Sequence, residues 1–211
     1  MKPNDGNPPT AHYFSSDPAA PSNPCDVEIT LPDLSLTMRS DTGVFSAHKL
    51  DPGTKMLLMS TPPPASDDKL VLDLGCGWGP IACVTAARAP QSQVWAIDVN
   101  DRALSLTRAN AALHGFEDRI HACSPDDVPA DLRFDRILSN PPIRVGKPAL
   151  HALLMRWLDR LTPAGVAHLV VHKHLGSDSL AKWLSARGHD VARIDSRGGY
   201  RVLQVLKGQA A

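Results

Sequence analysis

An apolar run, Lys69-Leu70-Val71-Leu72-Asp73-Leu74, ends in Gly75-Cys76-Gly77-Trp78-Gly79-Pro80, and a helical pattern follows at once. No other feature constrains the fold as much. A strand that is apolar throughout, apart from one Asp, is covered on both faces, as in sheets flanked by helices. Three alternating glycines let the main chain turn where a Cβ would obstruct it and approach a ligand closely. The helix start beyond them favours a carboxylate or phosphate, and Pro80 suits its first position. A turn that is merely tight would need the same glycines, so the pattern alone admits both readings.

From Lys69 onward, strands and helices alternate. A helix from Pro80 to about Ala89 is stopped by Pro90. Strand Gln93–Val99 follows, then a helix from Arg102 to His114 capped by Asn100 or Asp101 and closed by Gly115. Strands are expected over Arg119–Cys123, Phe134–Ser139 and Val166–His172, with helices over Lys147–Leu161 and Asp178–Arg187. Asp190–Asp195 and Tyr200–Leu206 flank a Ser-Arg-Gly-Gly turn and predict a closing antiparallel hairpin. The expectation is an α/β, Rossmann-like, mostly parallel seven-stranded sheet with an antiparallel seventh strand. Dehydrogenase-type sheets are parallel throughout, and their GxGxxG spacing is not met, because the third glycine comes one residue early.

Ahead of this series the chain reads differently. Residues 1–24 are rich in Pro, Asn, Ser and Asp and are expected to be a disordered tail. Residues 25–60 predict an N-terminal β-hairpin, Val27–Leu31 with Leu34–Arg39 around Pro32-Asp33, and a short helix led by Asp51 and Pro52. Residues 61–68, with three consecutive prolines, read as a linker to a 69–211 catalytic domain. No window has the roughly 18 uninterrupted apolar residues of a membrane span. The N-terminus lacks a basic-then-apolar signal, and Cys25, Cys76, Cys83 and Cys123 form no CxxC or zinc spacing. A cytoplasmic protein without a metal is expected.

The second chemical signal is Asn140-Pro141-Pro142-Ile143, directly after the strand Phe134–Ser139. An aromatic NH2 is a poor nucleophile because its lone pair is delocalised. The Asn140 side-chain oxygen and the Pro141 carbonyl offer two acceptors that would hold such a nitrogen and match the positive charge growing on it. The prolines fix the backbone, so those oxygens need not reorganise. Ordinary strand-ending turns also carry Asn-Pro. Together with the glycine turn, the sequence points to transfer of a methyl group from S-adenosylmethionine (SAM) to a nitrogen. Asp73, ahead of the glycines, would reach the amino-acid end of such a cofactor. Asp98, about twenty residues on, would take its ribose, although an N-cap role for Asp98 is also open. Asp126, after the third strand of the series, is a candidate for the adenine amino group.

The residues bring a family to mind by likeness. His12-Tyr13-Phe14-Ser15, Gly43-Val44-Phe45-Ser46, Leu50-Asp51-Pro52-Gly53-Thr54, the glycine turn, Asp98-Val99-Asn100, Ser139-Asn140-Pro141-Pro142-Ile143-Arg144-Val145-Gly146-Lys147 and Gly199-Tyr200-Arg201-Val202 resemble the small-subunit ribosomal RNA guanine-N2 methyltransferase family, in its short single-domain form. The likeness runs from about His12 to Lys207. It implies a class I SAM methyltransferase, its seventh strand set between the fifth and sixth, acting on the exocyclic amine of a guanine in RNA. Catalysis is assigned to Asn140, Pro141, Pro142 and Ile143, and cofactor binding to Asp73, Gly75, Gly77, Gly79, Asp98, Val99, Asp126 and Asn140. Phe45 and Asp51–Thr54 would close over cofactor or base. Ile143 stands where many amino methyltransferases have an aromatic. Longer members carry an extra N-terminal half. A protein glutamine amide or an adenine N6 as acceptor, or a non-catalytic RNA- or ribosome-binding role, are the alternatives.

Charge separates the chain. Residues 1–135 hold ten Lys/Arg against eighteen Asp/Glu, a balance of −8, and residues 136–211 hold twelve against four, a balance of +8. The cut falls near the start of the fourth strand of the series, between an expected cofactor half and a substrate half. A basic substrate half suits a polyanion. Phe45, Arg144, Lys147, Lys173 and Arg201 are the substrate candidates, with Arg197 a further cation on the same half; a solvated surface role is open for each.

Overall fold

The computed structural model describes residues 20–208. An antiparallel hairpin, β1 (Cys25–Thr30) and β2 (Ser35–Ser40), leads to helix α1 (Pro52–Ser60). Then come β3 (Leu70–Leu74), α2 (Pro80–Arg88), β4 (Gln93–Ile97), α3 (Asp101–Leu113), β5 (Ile120–Cys123) and β6 (Phe134–Ser139). α4 (Lys147–Leu158), β7 (Leu161–His172), α5 (Ser177–Ser185), β8 (Asp190–Arg197) and β9 (Tyr200–Leu206) complete the chain. The seven-stranded sheet runs β5-β4-β3-β6-β7-β9-β8. β3 to β7 are parallel, and β9, paired with β8 as the closing hairpin predicts, enters between β7 and β8 antiparallel to both. The described part of the 1–24 tail begins at residue 20; residues 1–19 lie outside the described residues.

Strand β3 shows why continuous apolarity was needed. Val71 faces one core, with Ile81, Ala82 and Val84 of α2, Ala103 of α3, and Ile29, Met38 and Leu57 of the hairpin and α1. Leu72 and Leu74 face the other, with Leu154 and Trp157 of α4 and Leu180 and Leu184 of α5. The sheet is therefore sandwiched between two helical layers, and each strand supplies both by alternation.

The hairpin is fastened to the sheet layers by buried polar groups. Asn110 of α3 is fully buried; its oxygen accepts the Arg39 N–H at 2.7 Å, and its amide donates to the Arg39 and Trp78 carbonyls, each at 2.8 Å. One side chain thus pairs with β2 as a strand would and ties it to the glycine turn. Asn100 caps α3, accepting from the Arg102 and Ala103 N–H groups, and donates to the Gly43 carbonyl at 2.9 Å.

Several element boundaries differ from the sequence expectation, most of all around β7. The helix read to Leu161 ends at Leu158, and β7 starts at Leu161 rather than Val166. Thr162-Pro163-Ala164-Gly165 forms an irregularity in the pairing with β6, between Phe134↔Leu161 and Arg136↔Val166. A bulge is a place where a strand tolerates Pro. Gly165 is required there, because a Cβ would lie 2.8 Å from the Phe134 carbonyl oxygen. In the closing hairpin β8 extends to Arg197, so Gly198 (φ 55°) and Gly199 (φ 84°) alone make the turn. Two successive positive φ values are those of a type I′ turn, which matches the twist of the strands it joins.

Candidate active site

The chain runs outward from β3 to β4 and β5 and then crosses back to β6 on the other side of β3, and such a reversal of strand order opens a crevice at the carboxyl ends of the strands. The glycine turn after β3 and the Asn-Pro-Pro turn after β6 meet at this point. A hydrogen bond fixes their separation: the buried Ser139 hydroxyl donates to the Leu74 carbonyl at 2.7 Å.

Gly75, Gly77 and Gly79 all have positive φ, at 79°, 56° and 89°. They serve two purposes. An added Cβ on Gly75 or Gly77 would meet nothing within 4 Å, so these two border open space. A Cβ on Gly79 would lie 3.0 Å from the Thr107 hydroxyl, so Gly79 permits α2 and α3 to approach. The turn itself is held by main chain and buried polar groups. The Gly75 and Cys76 N–H groups both donate to the Ile97 carbonyl at 2.9 Å, and Thr107 donates to the Gly77 carbonyl at 3.0 Å.

Asp98 accepts the Gly77 N–H at 2.9 Å on one oxygen and the Asn100 N–H at 3.0 Å on the other. It is therefore part of the turn, while the cap of α3 falls to Asn100. Burial raises its pKa against the lowering effect of those hydrogen bonds. A carboxylate has four lone-pair sites, so Asp98 retains acceptor capacity. Asp73 is fully buried. One oxygen accepts the Ala82 N–H of α2 at 3.0 Å, and the other has no partner. Burial pushes its carboxyl up to about 8.

Across the crevice, Asn140 is oriented from α1. Its side-chain amide nitrogen donates to Asp51 Oδ1 at 2.8 Å and to Thr54 Oγ1 at 3.0 Å. Asp51 Oδ1 also caps α1 by accepting the Thr54 N–H at 2.9 Å. With both amide hydrogens taken, the Asn140 oxygen is the group left for a ligand. Behind it, the Tyr200 ring of β9 packs so closely on Gly53 that a Cβ there would lie 2.7 Å from the ring. The Pro141 carbonyl accepts the Ile143 N–H at 2.8 Å, with Pro142 at φ −74°, ψ 75°: an inverse γ-turn. One lone pair of that carbonyl is thereby engaged and one remains.

A solvent-open cleft of about 300 Å³ lies between these parts, bordered by Phe45, Asp51, Thr54, Gly77, Trp78 and Ile81. Phe45 is 52% exposed and is followed by Ser46 in the left-handed region at φ 53°. Asp51, Thr54, Phe45, the glycine turn and Asn140 thus come together around one space.

Other candidates lie elsewhere. Asp126 stands on the surface, 86% exposed along its side chain, paired with Arg156 of α4 at 2.9 Å. Val99 is exposed just beyond β4. Arg144, Lys147 and Lys173 are exposed on the β6–β7 side. Arg201 is mostly enclosed and is engaged with Asp178 and Ser177 of α5. Arg197 pairs with Asp195 at 3.3 Å. Sequence reasoning missed Ser139, Thr107 and Asn110 as builders of the site. The only sequence signal for them was polar residues standing at positions that the strand and helix patterns place inside.

A model of the methyltransferase small domain family matches residues 35–204. The uncharacterized protein YbxB of Bacillus subtilis is 32% identical over 198 residues, covering 93% of this chain and 98% of that protein. A ribosomal RNA small subunit methyltransferase C of Aeromonas hydrophila is 38% identical over 149 residues, covering 68% of this chain and 42% of its own. A ribosomal RNA large subunit methyltransferase G of a Shewanella species is 31% identical over 194 residues, covering 86% and 49%. The chain spans about half the length of these two ribosomal RNA methyltransferases. Among solved structures, a T. thermophilus 16S rRNA N2 methyltransferase in complex with AdoMet and guanosine superimposes with a TM-score of 0.77 at 24% identity, covering 89% of this chain and 51% of that one.

Proposed function

The chain belongs to the methyltransferase small domain family, and from that premise we propose that it transfers a methyl group from SAM to the exocyclic N2 amine of a guanine in ribosomal RNA, that of the small subunit. The observation that carries the chemistry is the Asn140 amide, whose hydrogens are held by Asp51 and Thr54, two residues of the cleft border, so that its oxygen is left as an acceptor.

The residues present fit the cofactor. Gly75 and Gly77 border open space, and Asp73 keeps a buried oxygen without a partner. Gly75, Gly77, Asp98 and Asp73 would hold SAM, which when bound supplies a sulfonium-activated methyl group. Asn140 Oδ1 and the free lone pair of the Pro141 carbonyl would each accept one N–H of the guanine amine. Those two acceptors would hold the nitrogen with its lone pair turned out of the ring and would face the positive charge that develops on it during methyl transfer. The amine proton passes to solvent afterwards, so no strong base is needed. Phe45 and Ile143 supply apolar contact at the cleft and the turn.

The small-subunit, guanine-N2 reading draws support from the names borne by the small subunit relative and by the superimposed structure. Mass mapping of modified nucleosides in ribosomal RNA from cells with and without the chain tests it. Loss of one N2-methylguanosine in small-subunit RNA is expected. A lost methyl group in large-subunit RNA, on an adenine, or on a protein glutamine would replace this reading.

A further inference from the structure

A second, shallow groove lies between α4 and α5, outside the cleft. Leu150, Val171 and Leu180 line it, and Ile143 borders it, so it starts at the Asn-Pro-Pro turn. Leu175, on the same border, is 50% exposed. One helical turn along α4 from Lys147, His151 stacks on Trp183 of α5 with ring centroids 3.6 Å apart and planes 15° from parallel. The Arg187 guanidinium covers the same indole, its Cζ 3.9 Å from the ring centroid. Burial and the charges of Arg187 and Lys147 hold the His151 imidazole below its usual pKa, so at neutral pH it is an uncharged plane.

The charge around these planes is one-sided. Arg144, Lys147, Lys182 and Arg187 have no carboxylate partner among the described residues. α4 contains no acid, and Asp178, the acid of α5, is occupied by Arg193 and Arg201. Cations bind any polyanion. Stacked planes and an apolar floor are of use only to a strand whose base faces are free. A duplex offers phosphates and 2′-hydroxyls in a regular shape and keeps its base faces stacked. An acidic polypeptide would need the cations and not the planes.

We propose that the α4–α5 groove holds an unpaired RNA strand flanking the target nucleotide, its bases against Leu175 and the face of His151 turned away from Trp183, which backs that imidazole, and its phosphates on Lys147, Lys182 and Arg187. This rests on the RNA reading above and adds that the substrate is single-stranded beside the target.

The test uses the full chain with an unstructured RNA of about 12 nucleotides, a duplex of the same length, and polyglutamate. Binding is read by indole fluorescence and by anisotropy. The unpaired RNA is expected to quench tryptophan emission, and Trp183→Phe to remove most of that quenching. His151→Ala and Arg187→Ala should each weaken unpaired-RNA binding by roughly 5- to 100-fold, the range for loss of a stacking partner. Arg187→Lys should recover the charge and only part of the affinity. SAM binding by calorimetry, unchanged in all variants, reports that they fold. Wild-type affinity in both alanine variants, or duplex or polyglutamate binding as tight as the unpaired strand, would overturn the groove assignment. If ribosomal RNA is still methylated in that case, the proposed function stands without the groove. If the wild-type chain binds no RNA and methylates none, the function itself falls.

Discussion

The β3–β5 half of the molecule and the β6–β9 half present their functional groups in opposite ways. In the first, a main-chain turn and two carboxylates are locked in place: the glycine turn is held by Asp98, Thr107 and the Ile97 carbonyl, and Asn110 braces it from behind. In the second, apart from Asn140, the candidates are side chains standing in solvent, such as Arg144, Lys147 and Lys173. A main-chain site is rigid and indifferent to most side-chain changes. A side-chain site is adjustable and salt-sensitive. A small invariant ligand suits the first arrangement and a large, variable polyanion the second.

The sharpest way to break this contrast is at Asn140, where the halves meet. Asn140→Ala should keep the fold and SAM affinity while lowering single-turnover methylation on the order of 100- to 1000-fold, the cost of one preorganised polar partner. Asn140→Asp, which keeps an acceptor, should retain partial activity. An alanine variant as fast as the wild type would make the turn structural only.

On the first half, Asp98→Ala should weaken SAM binding by roughly 1–3 kcal/mol, because it removes an acceptor and releases the Gly77 N–H together. Calorimetry should register SAM and its demethylated product and no response to NAD(H); the reverse would discard the cofactor assignment.

His168 and Asp73, one buried titratable group from each half, act in opposite directions with pH. His168 of β7 is held by burial at about 4, below its ordinary 6.5. Between those values the unfolded chain takes up a proton that the folded chain refuses, so stability falls as pH drops from 6.5 to 4 and is intact above 6.5, a change of about 3 kcal/mol at most. Asp73 of β3, pushed up to about 8 from 3.8, does the reverse. The folded chain keeps a proton that the unfolded chain has released, so its contribution declines as pH rises from 3.8 through 8. In denaturant titrations across pH 4–9 the two slopes should offset each other below pH 6.5 in the wild type; His168→Leu should expose a fall in stability as pH rises there, and Asp73→Asn should remove the fall between 6.5 and 8. Unchanged profiles would mean that neither group is held as described.

The smallest expected effect concerns salt. Arg144→Ala and Lys147→Ala should each lower the slope of log RNA affinity against log salt by about 0.7, the value per phosphate contact on a single strand, with SAM affinity unmoved. A slope shared by both halves, or none, would erase the contrast.

Legibility in the sequence follows the same division. The glycine turn could be read because a main-chain site leaves its requirement as missing side chains at fixed spacing. The Asn-Pro-Pro turn could be read because proline restricts the backbone locally. The strand series and the closing antiparallel hairpin followed from hydrophobic runs and a Gly-Gly turn, whereas the place of β9 between β7 and β8 came from the family resemblance alone. What stayed hidden depends on residues far apart in the chain: Asp51 reaches across 89 positions to Asn140, and Asn110 across 71 to Arg39. The Thr162–Gly165 irregularity was hidden because Pro and Gly signal a turn whether or not a strand continues through it. The pairing of Arg201 with Asp178 was hidden because a cation's partner is chosen by packing between α5 and β9, which spacing does not encode.

The insertion of β9 orders the events of assembly. β8 pairs only with β9, and β9 alone joins it to β7, so the strand made earlier must wait, unpaired, for the one made later. Such a sheet grows from its centre outward and then closes by a late, non-local step of the kind that slows folding. Tyr200, which backs Gly53 of α1, travels on that last strand. A nascent chain stopped before Tyr200 would already possess the whole glycine turn yet lack the wall against which Asp51 and Asn140 are set. Competence to hold a ligand would thus precede competence to react.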